Sequence, residues 1–203
     1  ICFQLPALLQ EGLTIAISPL LSLMADQVQD LRQRGLPVAT LNSTLNTSDR
    51  RQILQKLDSL RLLYVSPETL LSPPVWERLC DPAIAIAGLM LDEAHCLVQW
   101  GDSFRPSYRR LGSVRSALMR LKSPNHDRIA VAAFTATADP QTQQELQTCL
   151  QLETPQIICT SPYRDNLSLN VAIAWTIAGR KRQCLKFIEA HRGQPGIIYM
   201  RSR

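Results

Sequence analysis

Glycine is scarce, with eight in 203 residues, and no G-K-S or G-K-T occurs anywhere. A complete G-x-x-x-x-G-K-[ST] loop for gripping phosphates is therefore excluded from these residues. The six cysteines (Cys2, Cys80, Cys96, Cys149, Cys159, Cys184) form no C-x-x-C pair, and no histidine stands at zinc spacing, so zinc-finger and zinc-ribbon chemistry is excluded as well. They read as reduced thiols, so the expected location is cytoplasmic. No apolar run approaches the roughly 20 residues that cross a bilayer, and the opening residues lack the basic-then-apolar pattern of a secretion signal. The expectation is a soluble chain with no membrane partner.

Hydrophobic residues make up 45% and charged residues 19%, a balance that supports a packed core and excludes disorder. The net charge of +5 favours a polyanionic partner. The chain starts at Ile1 without a methionine and stops at Arg203 directly after a strand-like run, so the expectation is a piece of a longer protein.

Short β-branched apolar runs at 14–18, 38–41, 61–65, 86–91, 129–134, 156–160, 170–176 and 196–200 alternate with helix-period stretches at 20–34, 48–57, 108–122, 140–150 and 180–192. Ser48 and Asp139 are the expected N-caps. This alternation implies an α/β fold, a doubly wound parallel sheet covered on both faces. The polar, proline-containing stretch 161–169 reads as a linker, dividing a first lobe at 1–160 from the start of a second at 170–203.

Ligands of such sheets sit beyond the carboxyl ends of the strands. There the sequence reads Ser18-Pro19, Asn42-Ser43-Thr44, Ser66-Pro67-Glu68, Asp92-Glu93-Ala94-His95 and Thr135-Ala136-Thr137. Asp92 and Glu93 end an apolar strand, the placement that gives a nucleotide hydrolase a Mg²⁺ ligand (Asp92, through water) and a residue that orients and deprotonates the attacking water (Glu93). Two acids at a helix start are also ordinary capping chemistry, but His95 makes the four residues D-E-A-H a specific signature. Beyond it, residues 99–108 read Q-W-G-D-S-F-R-P-S-Y. Trp100, Phe104, Arg105 and Tyr108 there suit a surface platform that stacks single-stranded bases, with buried packing as the alternative.

At these residues the chain resembles superfamily 2 helicases of DEAH type, and among them the RecQ family of DNA helicases. I-C-F-Q-L-P-A-L-L resembles the helix after the family's phosphate loop, I-S-P-L-L-S-L-M-A-D-Q-V its motif Ia, and L-L-Y-V-S-P-E its motif Ib. D-E-A-H-C is similar to motif II, F-T-A-T-A to motif III, Y-R-D-N-L to the opening of the second lobe, and G-I-I-Y-M-R-S-R to motif IV. The resemblance implies two RecA-like lobes using ATP and Mg²⁺ to move 3′ to 5′ along DNA in repair or recombination, with single-stranded and duplex DNA as partners.

It also implies roles. Asp92, Glu93 and His95 would be catalytic, and Thr135 and Thr137 would couple nucleotide state to DNA, although T-A-T at a strand end also suits turn capping. The aromatic-rich loop would sense DNA, and Ser18, Asn42 and Ser43 would touch the strand's phosphates. Many relatives have His-Asp where Asp102-Ser103 stands here. The phosphate loop would precede Ile1, so the 203 residues alone are expected to hydrolyse little ATP. Two other readings remain: an adaptor that has lost catalysis, which the intact acids oppose, and an RNA helicase, which the aromatic loop opposes.

Overall fold

A computed structural model describes residues 2–99, 106–121, 129–161 and 163–199. The chain divides into two compact units, 1–156 and 157–203, each taken here by itself. The division falls a few residues before the end expected for the first lobe.

Unit 1 is built on five parallel strands: β1 (Leu13–Ile17), β2 (Val38–Leu41), β3 (Leu62–Val65), β4 (Ile86–Leu91) and β5 (Ala130–Ala133), in the order β2-β3-β1-β4-β5. Five of the runs expected to be strands form this sheet. β1 and β3 are buried along their whole length, as continuous apolar runs must be when both faces of a parallel sheet are covered. One face packs Ala16, Val38, Leu62 and Tyr64 against α1 (Gln4–Leu9) and α2 (Leu21–Gln33), through Ala7, Met24, Val28 and Leu31. The opposite face packs Ile15, Leu41, Leu63 and Leu89 against Leu79 of α5 (Pro73–Cys80), Leu118 of α8 (Val114–Leu121) and Leu146 of α9 (Pro140–Cys149). Sheet and helices thus match the doubly wound α/β architecture read from the alternation.

Caps explain where several helices begin. Helix α3 (Thr47–Gln55) is capped by Asn46, whose side-chain oxygen accepts from Asp49 N at 2.8 Å while its amide donates to Asp49 at 2.9 Å. Ser48, the expected cap, lies inside the helix. Ser66 caps α4 (Pro67–Leu70), and Asp139 caps α9 as expected. The stretch expected as one helix at 108–122 is two, α7 (Pro106–Leu111) and α8. Gly112 and Ser113 separate them, with Ser113 turning both its N–H and its hydroxyl onto the Arg110 carbonyl. Between β4 and α7 lies the short α6 (Cys96–Gln99).

In unit 2 the described residues hold one helix, α10 (Ile177–Ala190), capped by Thr176 on Gly179 N. The strands expected at 156–160, 170–176 and 196–200 do not form among them; Met200 lies outside the described residues. A parallel strand exists only as half of a hydrogen-bonded pair, and among the described residues these runs join no strand ladder: Val171 is 95% and Trp175 93% exposed.

Candidate nucleotide-binding site

Register brings the residues after four strands into one line. Leu41 pairs with Val65, Val65 with Ile17, and Ile17 with Leu91. Asn42, Ser66, Ser18 and Asp92 therefore stand side by side along the carboxyl edge. With strands about 4.8 Å apart, the line runs about 14 Å from Asn42 to Asp92. The chain leaves β1 towards β2 through α2 on one face, and leaves β4 towards β5 through helices that pack the other face. Between β1 and β4 the winding reverses, which opens the crevice where open α/β sheets bind ligands.

Ser18 and Asp92 meet at that crevice. The Ser18 hydroxyl donates to Asp92 Oδ2 at 3.2 Å, and Asp92 Oδ1 accepts from Glu93 N at 3.1 Å. Glu93 has φ +49°, a left-handed conformation uncommon outside glycine, asparagine and aspartate. Such a residue stores roughly 1–3 kcal/mol of strain and is typical of functional sites. Glu93 Oε2 lies 3.3 Å from His95 Nδ1, and the same nitrogen lies 2.9 Å from Thr135 Oγ1.

The Thr135 hydroxyl has one proton, and it goes to the Thr137 carbonyl at 3.0 Å. Towards His95 the hydroxyl can only accept, so the hydrogen-bond pattern assigns the proton to His95 Nδ1 and leaves Nε2 facing the Cys96 sulfur at 3.7 Å. That N–H spans Glu93 and Thr135 and ties the end of β4 to the end of β5. Thr137 enters through its backbone, with its N–H also reaching Thr135 Oγ1 at 3.3 Å, and its side chain is exposed.

Asp92 fits a magnesium–nucleotide group. No cluster of three metal-ligating side chains exists among the described residues, so there is no all-protein cage. One carboxylate at an open crevice is how Mg²⁺ is held when water and phosphate oxygens supply the remaining ligands.

Three of the residues expected to contact DNA are buried in this structure. Ser18 is 3% exposed with its proton committed to Asp92, so it supports the carboxylate and is not open to a phosphate. Asn42 is 6% exposed, and its side-chain oxygen accepts both Thr44 N and Thr44 Oγ1, closing a turn across the exposed Ser43. Tyr108 sits in α7 and is 2% exposed in the core, so its ring has no face for a base; Pro106 starts a helix where a loop was expected. Trp100, Phe104 and Arg105 lie outside the described residues.

Sequence reasoning missed the aromatic support under the site. Phe3 lies 6.2 Å from Tyr64 and 5.4 Å from Phe134, ring centre to ring centre. Gln4 Nε2 donates to the Tyr64 hydroxyl at 2.7 Å. Burial pushes the Tyr64 phenol up from its ordinary value, the Gln4 amide works against the rise, and the Asp92 carboxylate adds to it. The only hint in the sequence was a tyrosine inside an otherwise aliphatic strand, L-L-Y-V.

An acid pair and a histidine at the winding reversal of a parallel sheet define a nucleotide-binding α/β domain. Its particular family follows from comparison: the DEAD/DEAH box helicase family matches residues 1–146, and the chain belongs to that family. The chain is 52% identical over its whole length to "ATP-dependent DNA helicase RecQ" of Synechocystis sp., covering 42% of that protein. It is 39% identical over its whole length to "Probable ATP-dependent DNA helicase RecS" of Bacillus subtilis, covering 39% of it. Mouse "ATP-dependent DNA helicase Q5" is 37% identical, with 22% of its length covered. The chain thus spans about two fifths or less of these relatives. Among solved structures, the Pyrococcus furiosus Hef helicase domain aligns over 75% of this chain and 30% of its own, with TM-score 0.52 and 18% identity. The helicase MrfA bound to DNA aligns over 73% of this chain and 22% of its own, with TM-score 0.56 and 16% identity. At that identity they speak for the fold alone.

Proposed function

We propose that the chain is the nucleotide-hydrolysing core of an ATP-dependent DNA helicase of RecQ type that moves 3′ to 5′ along a single strand in repair or recombination. The observation that carries this reading is the Ser18–Asp92 hydrogen bond at the crevice, flanked by Glu93, His95 and Thr135. Identity to the RecQ and RecS proteins over the whole chain supports the DNA substrate.

Asp92 would hold Mg²⁺, which neutralises charge on the β- and γ-phosphates of ATP when bound. Ser18 keeps one Asp92 oxygen oriented. Glu93 aims its carboxylate at the attacking water and takes its proton. The His95 N–H holds Glu93 in that direction and hands any shift of the carboxylate to Thr135, hence to the segment after β5. β5 is the edge strand next to β4, and the phosphate-gripping loop is not among the 203 residues. Positioning and charge neutralisation make up most of phosphoryl-transfer catalysis, so the 203 residues alone turn over little ATP.

The test measures DNA-stimulated ATP hydrolysis and strand displacement by the full-length protein on DNA and RNA forks offered side by side. Unwinding of DNA forks, with turnover lower by about 10²- to 10⁴-fold in Glu93→Gln as for loss of a general base, is expected. Preference for RNA forks, or turnover unchanged in the variant, overturns the assignment.

A further inference from the structure

We propose that Arg50 is a phosphate-binding residue for the single strand, held ready beside Ser43 at the end of the edge line furthest from Asp92. This deepens the DNA-helicase reading and rests on it. Arg50 lies on α3 and is half-buried. Its Nη2 donates to the Asn42 carbonyl at 2.9 Å, one peptide unit from Ser43. β2 is the outer strand of the sheet, and the Arg50 guanidinium takes up the first carbonyl beyond that strand's pairing with β3.

Two features set Arg50 apart, one from the ion-paired arginines and one from the others that donate to carbonyls. Arg34 and Arg78 are ion-paired to Asp30 and Asp81, whereas among the described residues no carboxylate pairs with Arg50. Arg32, Arg78, Arg115 and Arg120 also donate to carbonyls, but those of Val38 and Ile129 open strands β2 and β5 at the edge of the sheet opposite to the ligand crevice, and those of Leu54 and Ser116 lie within helices α3 and α8. Arg50 alone of this group joins the carboxyl edge. One Nη2 bond leaves further guanidinium donors, in the fixed fork that suits phosphate oxygens. The anchor also lowers the side-chain entropy lost on binding.

The neighbouring turn is built to the same end. Asn42 spends its side-chain oxygen on Thr44, which fixes the backbone around the exposed Ser43. Asn46 and Asp49 cap α3 reciprocally and so hold Arg50 at its height on the helix. A serine hydroxyl beside an unpaired, anchored guanidinium is a donor set for a strand phosphate; it reads no base, as phosphate contacts position a strand without specifying sequence.

The experiment titrates full-length wild type, Arg50→Gln, Arg50→Lys and Arg34→Gln with a fluorescein-labelled oligo-dT strand from 50 to 200 mM salt, alongside a thermal melt of each. Removing one phosphate contact on a single strand lowers the slope of log affinity against log salt by about 0.7, so the fourfold rise in salt costs Arg50→Gln about 2.6-fold less affinity than wild type. Arg50→Lys is expected to keep the wild-type slope, and so is Arg34→Gln. An unchanged slope in Arg50→Gln overturns the proposal, including where the melt alone falls, because that pattern marks a purely structural latch. Failure of wild type to bind the strand overturns the helicase reading itself and the proposal with it; binding with an altered slope only at Arg50 supports both.

Discussion

Leu62–Val65 and 196–199 carry nearly the same local message, L-L-Y-V in one and G-I-I-Y in the other. The first is β3, with Leu62, Leu63, Tyr64 and Val65 buried between two layers of helices. The second forms no strand, its Ile197, Ile198 and Tyr199 are exposed, and the preceding helix α10 has no buried residue. Apolar β-branched runs are equally willing to extend in both places. What differs is the supply of neighbours, since β3 lies between β1 and β2 and the run in unit 2 joins no ladder among the described residues. Strand propensity is largely packing against such neighbours.

The sharpest way to break the comparison is truncation on each side. Leu63→Ala opens a cavity in the core and is expected to destabilise unit 1 by about 2–5 kcal/mol, whereas Ile198→Ala is expected to stay within about 0.5 kcal/mol. Urea unfolding midpoints measure both, and equal shifts would show that unit 2 has a core of its own. Glycines give the next largest contrast. Gly12 has φ +93° and a Cβ there would lie 3.0 Å from the Ala85 carbonyl oxygen, while Gly193 has φ +84° with open space around it. Gly12→Ala is expected to cost more than the roughly 1–2 kcal/mol of the left-handed backbone alone, and Gly193→Ala to leave the main unfolding transition in place.

Caps test the same contrast at smaller scale. Asn46→Ala removes the reciprocal cap of α3 and is expected to cost about 1 kcal/mol of unit 1 stability. Thr176→Ala is expected to reduce helicity in α10, read by amide exchange, without moving that transition.

The smallest effect concerns pH. The backbone N–H of Thr142 holds the Asp139 carboxyl below its ordinary value, so the charged cap supports α9 above the unfolded carboxyl's pKa. That support is lost as pH falls through the lower folded value. Acid titration is expected to fray α9 at its N-terminus in wild type, and Asp139→Asn to remove this acid dependence while keeping the side-chain oxygen that accepts from Thr142 N.

Much of unit 1 was legible in the residues because its cues are local or periodic. Five strand runs, the Asp139 cap and the acid pair at the end of β4 each rest on side chains close together in the chain. The cap of α3 was misplaced by two residues, since both Asn46 and Ser48 are capping types and only the reciprocal bond to Asp49 separates them. Tyr108 was read as a surface residue because the loop preceding it is polar, yet a helix starting at Pro106 turns the ring into the core. Ser18 was read as a strand contact because hydroxyls at a strand end suit phosphates, and no local pattern shows that Asp92, 74 positions away, takes its proton.

The sequence by itself determined the parallel α/β class, the placement of D-E-A-H at a strand end and the family that goes with it, because strand period, helix period and motif spacing are written within a few residues. Only the tertiary structure decided which strands lie side by side. That order put Ser18 on Asp92, Thr135 on His95 and Arg50 beside Ser43. Pairing between distant segments depends on register and on which surfaces are left to bury, and neither is carried by any one segment.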